Sequence, residues 1–206
     1  MKIELPHFMI GDSYGGNQDW FRTIFMRIGG CGAETACDSS LYLALHRGIR
    51  AAYPFDMENL TREDYVDFAH RMEKYLWPRM TGIDRLEIFA EGYGKYLRDR
   101  GITSITMNML DGTEPYEKAA EAVRVQIDAG LPIPTLILQH RNKALDDYTW
   151  HWFLLNGYEL PDDDGLNGMR VKAVTYSEFQ WLDLSALWDT GYRRRGGLIL
   201  FRIHTL

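Results

Sequence analysis

Cysteine is scarce in this chain, with Cys31 and Cys37 the only two among 206 residues. They are too few for a disulfide framework. Six residues apart on a helix is not a whole number of turns, so their sulphurs face different ways. The expectation is a reduced, cytoplasmic chain. Long apolar runs are missing too. No stretch reaches the roughly 18 apolar residues of a membrane span. The N-terminal "MKIELPHFMIGDSYGG" has one Lys and no apolar centre, unlike a signal peptide. Nor is there a basic excess. Lys and Arg number 23 against 29 Asp and Glu, a formal charge of −6, which argues against a nucleic-acid partner. The basic run Arg193-Arg194-Arg195 reads as a solvated turn before the last strand. Repeats and low-complexity segments are absent.

Aromatics are plentiful, at 13% with six Trp and twelve Tyr. Such rings supply core area and also line clefts. Residues 32–47 read as a helix apolar nearly all round, hence buried, with Gly48 as its stop. A second helix opens at "TRED", where Thr61 and Asp64 have capping-box spacing. Its apolar face is Tyr65, Phe68, Ala69, Met72 and Leu76. A third runs from near Asp84 to Gly101, and a fourth covers 114–130. Short strands are expected at 104–110, 132–140, 148–160, 169–176 and 197–204, with a turn at 162–168 and a short helix at 184–188. Helices come first and antiparallel strands follow. That order predicts one α+β domain over residues 1–206, its helical half packed on the sheet. A cleft between the halves is a natural place for a site.

Cys31 stands among Gly29, Gly30 and Gly32 at the mouth of the buried helix. A thiol there feels the positive end of the helix dipole, which favours the nucleophilic thiolate. The glycines let a substrate backbone come close. A nucleophilic Cys needs a base within hydrogen-bond reach and donors for an oxyanion. Among six histidines, His46 and His70 lie on helices, His7 and His204 lie near the termini, and His140 ends a strand. His151 differs: it opens an apolar strand between Trp150 and Trp152. A lone histidine there is more often structural; paired with Cys31 it becomes a candidate base.

The stretches Gln18-Asp19-Trp20, Gly30-Cys31-Gly32-Ala33, Gly130-Leu131-Pro132 and His151-Trp152-Phe153-Leu154-Leu155-Asn156-Gly157-Tyr158 together resemble the papain-like cysteine peptidases. The pattern is most similar to stand-alone relatives of the double-glycine-leader (bacteriocin-processing) peptidases. The resemblance covers residues 16 to 160 and implies a papain-like fold. It implies Cys31 as nucleophile, His151 as general base and Gln18 as oxyanion donor, with the Cys31 N–H as second donor. The implied activity is hydrolysis of a peptide or small amide, with no cofactor and no metal.

Ala33 stands where the pattern commonly has Pro. The residue that orients the histidine, usually an Asp or Asn, has no match in "AVTYSEF". Thr175, Tyr176, Ser177 and Glu178 remain open for it. Asn156 is five residues beyond His151, on the opposite face of the strand. That gap favours one rival reading, a non-catalytic binding module. A second is an acyltransferase in which an amine replaces water.

Other motifs carry less. "GGCGAET" lacks the Lys and Ser/Thr of a phosphate loop. "EGYGKYLRDRG" follows no strand. Asp146-Asp147 and Asp162-Asp163-Asp164 read as solvated turns. Cys31, Cys37 and His46 lack zinc-site spacing, and Cys37 reads as a small buried hydrophobe. Trp20, Trp150 and Trp152 are candidates for the cleft wall or the core.

Overall fold

A helix with small or apolar residues nearly all round is stable only if surrounded. Helix α2 (Cys31–His46) is buried from Cys31 through Ala44. The computed structural model describes residues 1–79, 82–161 and 165–204. Three short strands come first, β1 (Lys2–Glu4), β2 (Met9–Ile10) and β3 (Ser13–Tyr14), then α1 (Ile24–Gly29) and α2. Helices α3 (Arg62–Glu73) and α4 (Leu86–Asp99) follow, then β4 (Ile105–Asp111), α5 (Tyr116–Asp128), β5 (Ile133–Ile137) and β6 (His151–Glu159). The chain closes with β7 (Arg170–Thr175), β8 (Glu178–Asp183), α6 (Leu184–Trp188) and β9 (Gly196–Ile203).

The fold is α+β. Among the described residues, seven strands form one antiparallel sheet in the order β4-β9-β5-β6-β7-β8, with β1 added on β6. Strand alternation splits the core in two. Leu136 and Trp152 face the layer of α2, α3 and α4, where they pack with Leu41, Phe68 and Phe89. Ile133, Phe153 and Leu155 face the other side, where Val123 and Ile127 of α5 cover them. Thr61 caps α3 as expected, accepting from the Asp64 N–H at 3.1 Å.

Several expectations shift. The strand expected at 148–160 starts only at His151, because a short 3-10 segment, Lys143–Tyr148, precedes it. That segment is capped by the Asn142 side chain, which accepts from the Ala144 N–H at 3.0 Å. Strand β8 is additional. Its hairpin turn is Tyr176-Ser177, both left-handed at φ 52° and 63°, and neither is the Gly or Asn that usually marks such a turn. The expected turn at 162–168 lies partly outside the described residues, since 162–164 are not among them.

Candidate active site

Gly30, at φ −85° and ψ 5°, separates α1 from α2 and makes Cys31 the first residue of the central helix. An unbroken helix would offer the Arg27 carbonyl to the Cys31 N–H, by the i−4 rule. Here Gln18 takes that carbonyl instead, donating from Nε2 at 2.8 Å. Gln18 sits in a 3-10 turn, Gln18–Trp20, capped by the Asn17 side chain, and is buried. Its amide has a second N–H. Its Oε1 is buried without a partner. The structure thus ties Gln18 to the junction beside Cys31.

Helix α2 packs on β6. The backbone amide of Trp152, next in sequence to His151, favours the Cys31 thiolate, as do the amides of Gly32 and Cys31 itself. Burial outweighs them. The Cys31 thiol is pushed up to about 11, with nearby Glu34 adding to the rise. This corrects the expectation of a lowered thiol. The helix dipole acts, but desolvation of the buried sulphur is the larger effect.

His151 is buried, and burial pushes it down to about 4. Its Nε2 lies 2.7 Å from Thr175 Oγ1. Its ring stacks on Tyr176 at 4.8 Å and 2°, and on Phe153 at 6.3 Å. Thr175, one of four open choices from the sequence, therefore holds the ring. Among the described residues no hydrogen bond joins the His151 ring to Cys31. The pair at neutral pH is a neutral thiol and a neutral imidazole.

Backbone strain collects here. Among the described residues the only non-glycine positions with positive φ are Trp150 (50°), Tyr176 (52°) and Ser177 (63°). The first precedes His151 and the second stacks on it. Each left-handed L-residue costs about 1–2 kcal/mol, and such strain clusters at functional sites. The Tyr176-Ser177 turn is pinned from outside. Ser177 N–H donates to Gly16 O at 3.0 Å, and Tyr14 N–H donates to Ser177 O at 3.1 Å. The segment leading to Gln18 thus also fixes the turn behind His151.

Glu34 and Asp38 follow on the same helix, both buried. Burial and the neighbouring Asp38 and Asp19 carboxylates hold Glu34 well above the usual carboxylate range. Asp38 is pushed up to about 7 by burial, against the Tyr65 hydroxyl at 2.6 Å and the Gly16 N–H. Glu34 went unnoticed in the sequence, although its i+3 spacing from Cys31 puts it on the same helix face.

A cleft of about 490 Å³ opens at Cys31, walled by Phe25, Ile28, Ile83, Leu136, Leu138 and Trp150. Of the three tryptophans considered, only Trp150 lines it. Trp152 is core, stacked on Phe89 at 4.3 Å with Nε1 donating to Ile83 O at 2.6 Å. Trp20 packs edge-on against Tyr65. Cys37 is fully buried, as a small hydrophobe would be. Asn156 is buried, with neither side-chain polar atom partnered. Among the described residues no group of three or more His, Cys, Asp or Glu could hold a metal ion, and no helix is long and apolar enough to cross a membrane. Comparison with protein-family models, with curated proteins and with solved structures finds no match to this chain.

Proposed function

We propose that the chain is a thiol-dependent amide hydrolase of papain-like architecture, acting on a peptide or small amide. One observation carries this reading: Cys31 opens the buried helix that packs on β6, the Trp152 backbone amide reaches its sulphur, and the preceding His151 is held through Nε2 by Thr175 Oγ1 at 2.7 Å. With Nε2–H donating to that hydroxyl, Nδ1 carries the lone pair a general base needs. Nδ1 takes the Cys31 proton as Sγ attacks the carbonyl carbon. The oxyanion meets the free N–H of Gln18 and the Cys31 N–H. The C–N bond breaks, His151 returns the proton to the leaving amine, and a thioester remains. Water, losing its proton to His151, attacks that thioester and frees the acid and the thiol. The thiol needs its base at the moment of attack, because burial keeps the resting sulphur protonated.

A second reading is a binding module on the same scaffold. The raised thiol and the lack of a Cys31–His151 hydrogen bond favour it. An activated ester separates the readings. Hydrolysis with a thioester trapped on Cys31, lost in Cys31→Ala, supports the hydrolase. A product amide formed only when an amine is added identifies an acyltransferase. No thioester on Cys31 leaves the binding module.

A further inference from the structure

The cleft at Cys31 has a neighbour. A second hollow of about 360 Å³ shares the Leu136 and Leu138 walls and is edged by Arg85, Arg193, Arg194 and Arg195. The two halves differ in chemistry. The first is largely apolar, with Arg79 at its edge, and its rings and aliphatic chains are open to water: Ile28 is 77% exposed, Phe25 44% and Trp150 47%. Trp77, 56% exposed, stacks on Phe25 at 5.7 Å and extends the patch. Contiguous exposed apolar surface marks a binding site more often than chance. The second half is rich in guanidinium groups. Arg194 pairs with Asp84 at 2.6 Å, and Arg195 lies 3.6 Å from Asp189. Among the described residues no carboxylate pairs with Arg85 or Arg193. Glu87 and Asp111 also edge this hollow, and Asp111 Oδ1 is engaged by Thr113.

Trp150 joins the halves. Its ring walls the apolar side, and the Arg194 guanidinium lies 5.6 Å from the ring centroid. Its backbone is left-handed, which disfavours any residue bearing a Cβ, while its large ring stays half in water. Glycine would suit the backbone better. Neither local conformation nor core packing explains a tryptophan at this position. A ligand that covers the ring does.

We propose that this two-part cleft binds a peptide segment pairing a large apolar side chain with acidic residues. The apolar side chain lies against Trp150 and Phe25 beside Cys31, and the carboxylates reach Arg193 and Arg85. Resting on the hydrolase reading, this names its substrate class; the binding itself needs no chemistry. Trp150 is a specificity residue, in contact with the ligand.

The test is fluorescence anisotropy on the Cys31→Ala protein, which binds without turnover. Three labelled hexapeptides serve as probes, one apolar–acidic, one apolar–basic and one polar–acidic. The apolar–acidic probe is expected to bind at least about tenfold tighter than either other, and to weaken as salt rises. Trp150→Gly should lose that binding about tenfold while melting at the same temperature or higher, because glycine relieves the left-handed backbone. Arg193→Ala should weaken only the acidic probes. Equal binding of all three, no binding, or a Trp150→Gly protein that melts lower and binds as before overturns the proposal. Hydrolysis of amides by the wild type with no such preference would also overturn it, leaving the hydrolase reading in place. Preferential binding with no turnover would sustain it and remove the hydrolase reading.

Discussion

Two histidines of this protein are treated in opposite ways: His151 is buried, and His7 is half-buried with both ring nitrogens shut off from water. His7 and His151 both stack on a tyrosine, His7 on Tyr14 at 4.6 Å and His151 on Tyr176 at 4.8 Å. Burial pushes both down, His7 to about 3 and His151 to about 4. His151 has a hydroxyl on Nε2, whereas neither nitrogen of His7 has a partner. A Cβ at Gly15 would fall 2.8 Å from His7 Nε2 and 2.9 Å from Asp38 Oδ2, which explains the glycine there. Burial alone therefore does not mark a working histidine. What separates His151 is a partner that fixes its tautomer, strained backbone on either side, and a cysteine beside the next residue.

Replacing each ring in turn widens the contrast most. His151→Ala should slow acylation of Cys31 by an activated ester by about 100-fold or more, the usual contribution of a general base. His7→Phe should leave that rate within about twofold, as stopped-flow release of the ester's leaving group would show. Thr175→Val asks whether the tautomer partner matters. It removes one hydrogen bond and leaves a buried nitrogen unpaired, worth about 1–1.5 kcal/mol, or roughly tenfold in acylation rate. Thr175→Ser should restore the rate.

Alkylation sharpens the view of the thiol. Iodoacetamide labelling of Cys31 in His151→Ala should keep accelerating from pH 8 toward the thiol's raised value of about 11, and mass spectrometry should find Cys37 unlabelled in the folded protein. A plateau below pH 8 in that variant would mean that solvent reaches the sulphur far more than its burial implies.

Acid stability gives the smallest effect. A histidine lowered in the folded state costs nothing above its unfolded value of about 6.5. Stability falls as pH drops from there, and the loss is complete once the folded ring protonates. Those ends are about 4 for His151 and about 3 for His7. Asp38 has the opposite sign: raised to about 7, it adds stability as pH falls from 7 toward 4. His7→Phe removes one opposing group together with two unpartnered nitrogens. Urea titrations at pH 7 and pH 4 should therefore show a smaller loss on acidification than in the wild type.

The parts of this molecule that rest on local pattern could be read from the sequence. Helix α2 announced itself because Ala33, Ala36, Leu41 and Leu43 spread apolar residues nearly all round it, and α3 because Thr61 and Asp64 form a cap. The α+β layering followed from element order. What escaped depends on register and depth. Thr175 could not be separated from its neighbours until the Tyr176-Ser177 turn set the β7–β8 pairing, and that turn lacks the usual glycine. The high thiol value at Cys31 comes from its enclosure by α2, β6 and the cleft wall, which spacing does not reveal. Trp150 and Trp152 are two residues apart in a strand-like run, yet one is open and one is core. A left-handed residue before the strand turns them differently.

The most direct measurement is the pH–rate profile of Cys31 acylation by an activated ester, followed by intact mass, in wild type and His151→Ala. If His151 is the base for Cys31, the wild-type rate rises through a midpoint near pH 4 and then stays level. In His151→Ala that limb disappears, and the rate climbs only toward the thiol's own value of about 11. The same profile in both proteins, or acylation at any residue other than Cys31, would contradict the pairing of Cys31 with His151.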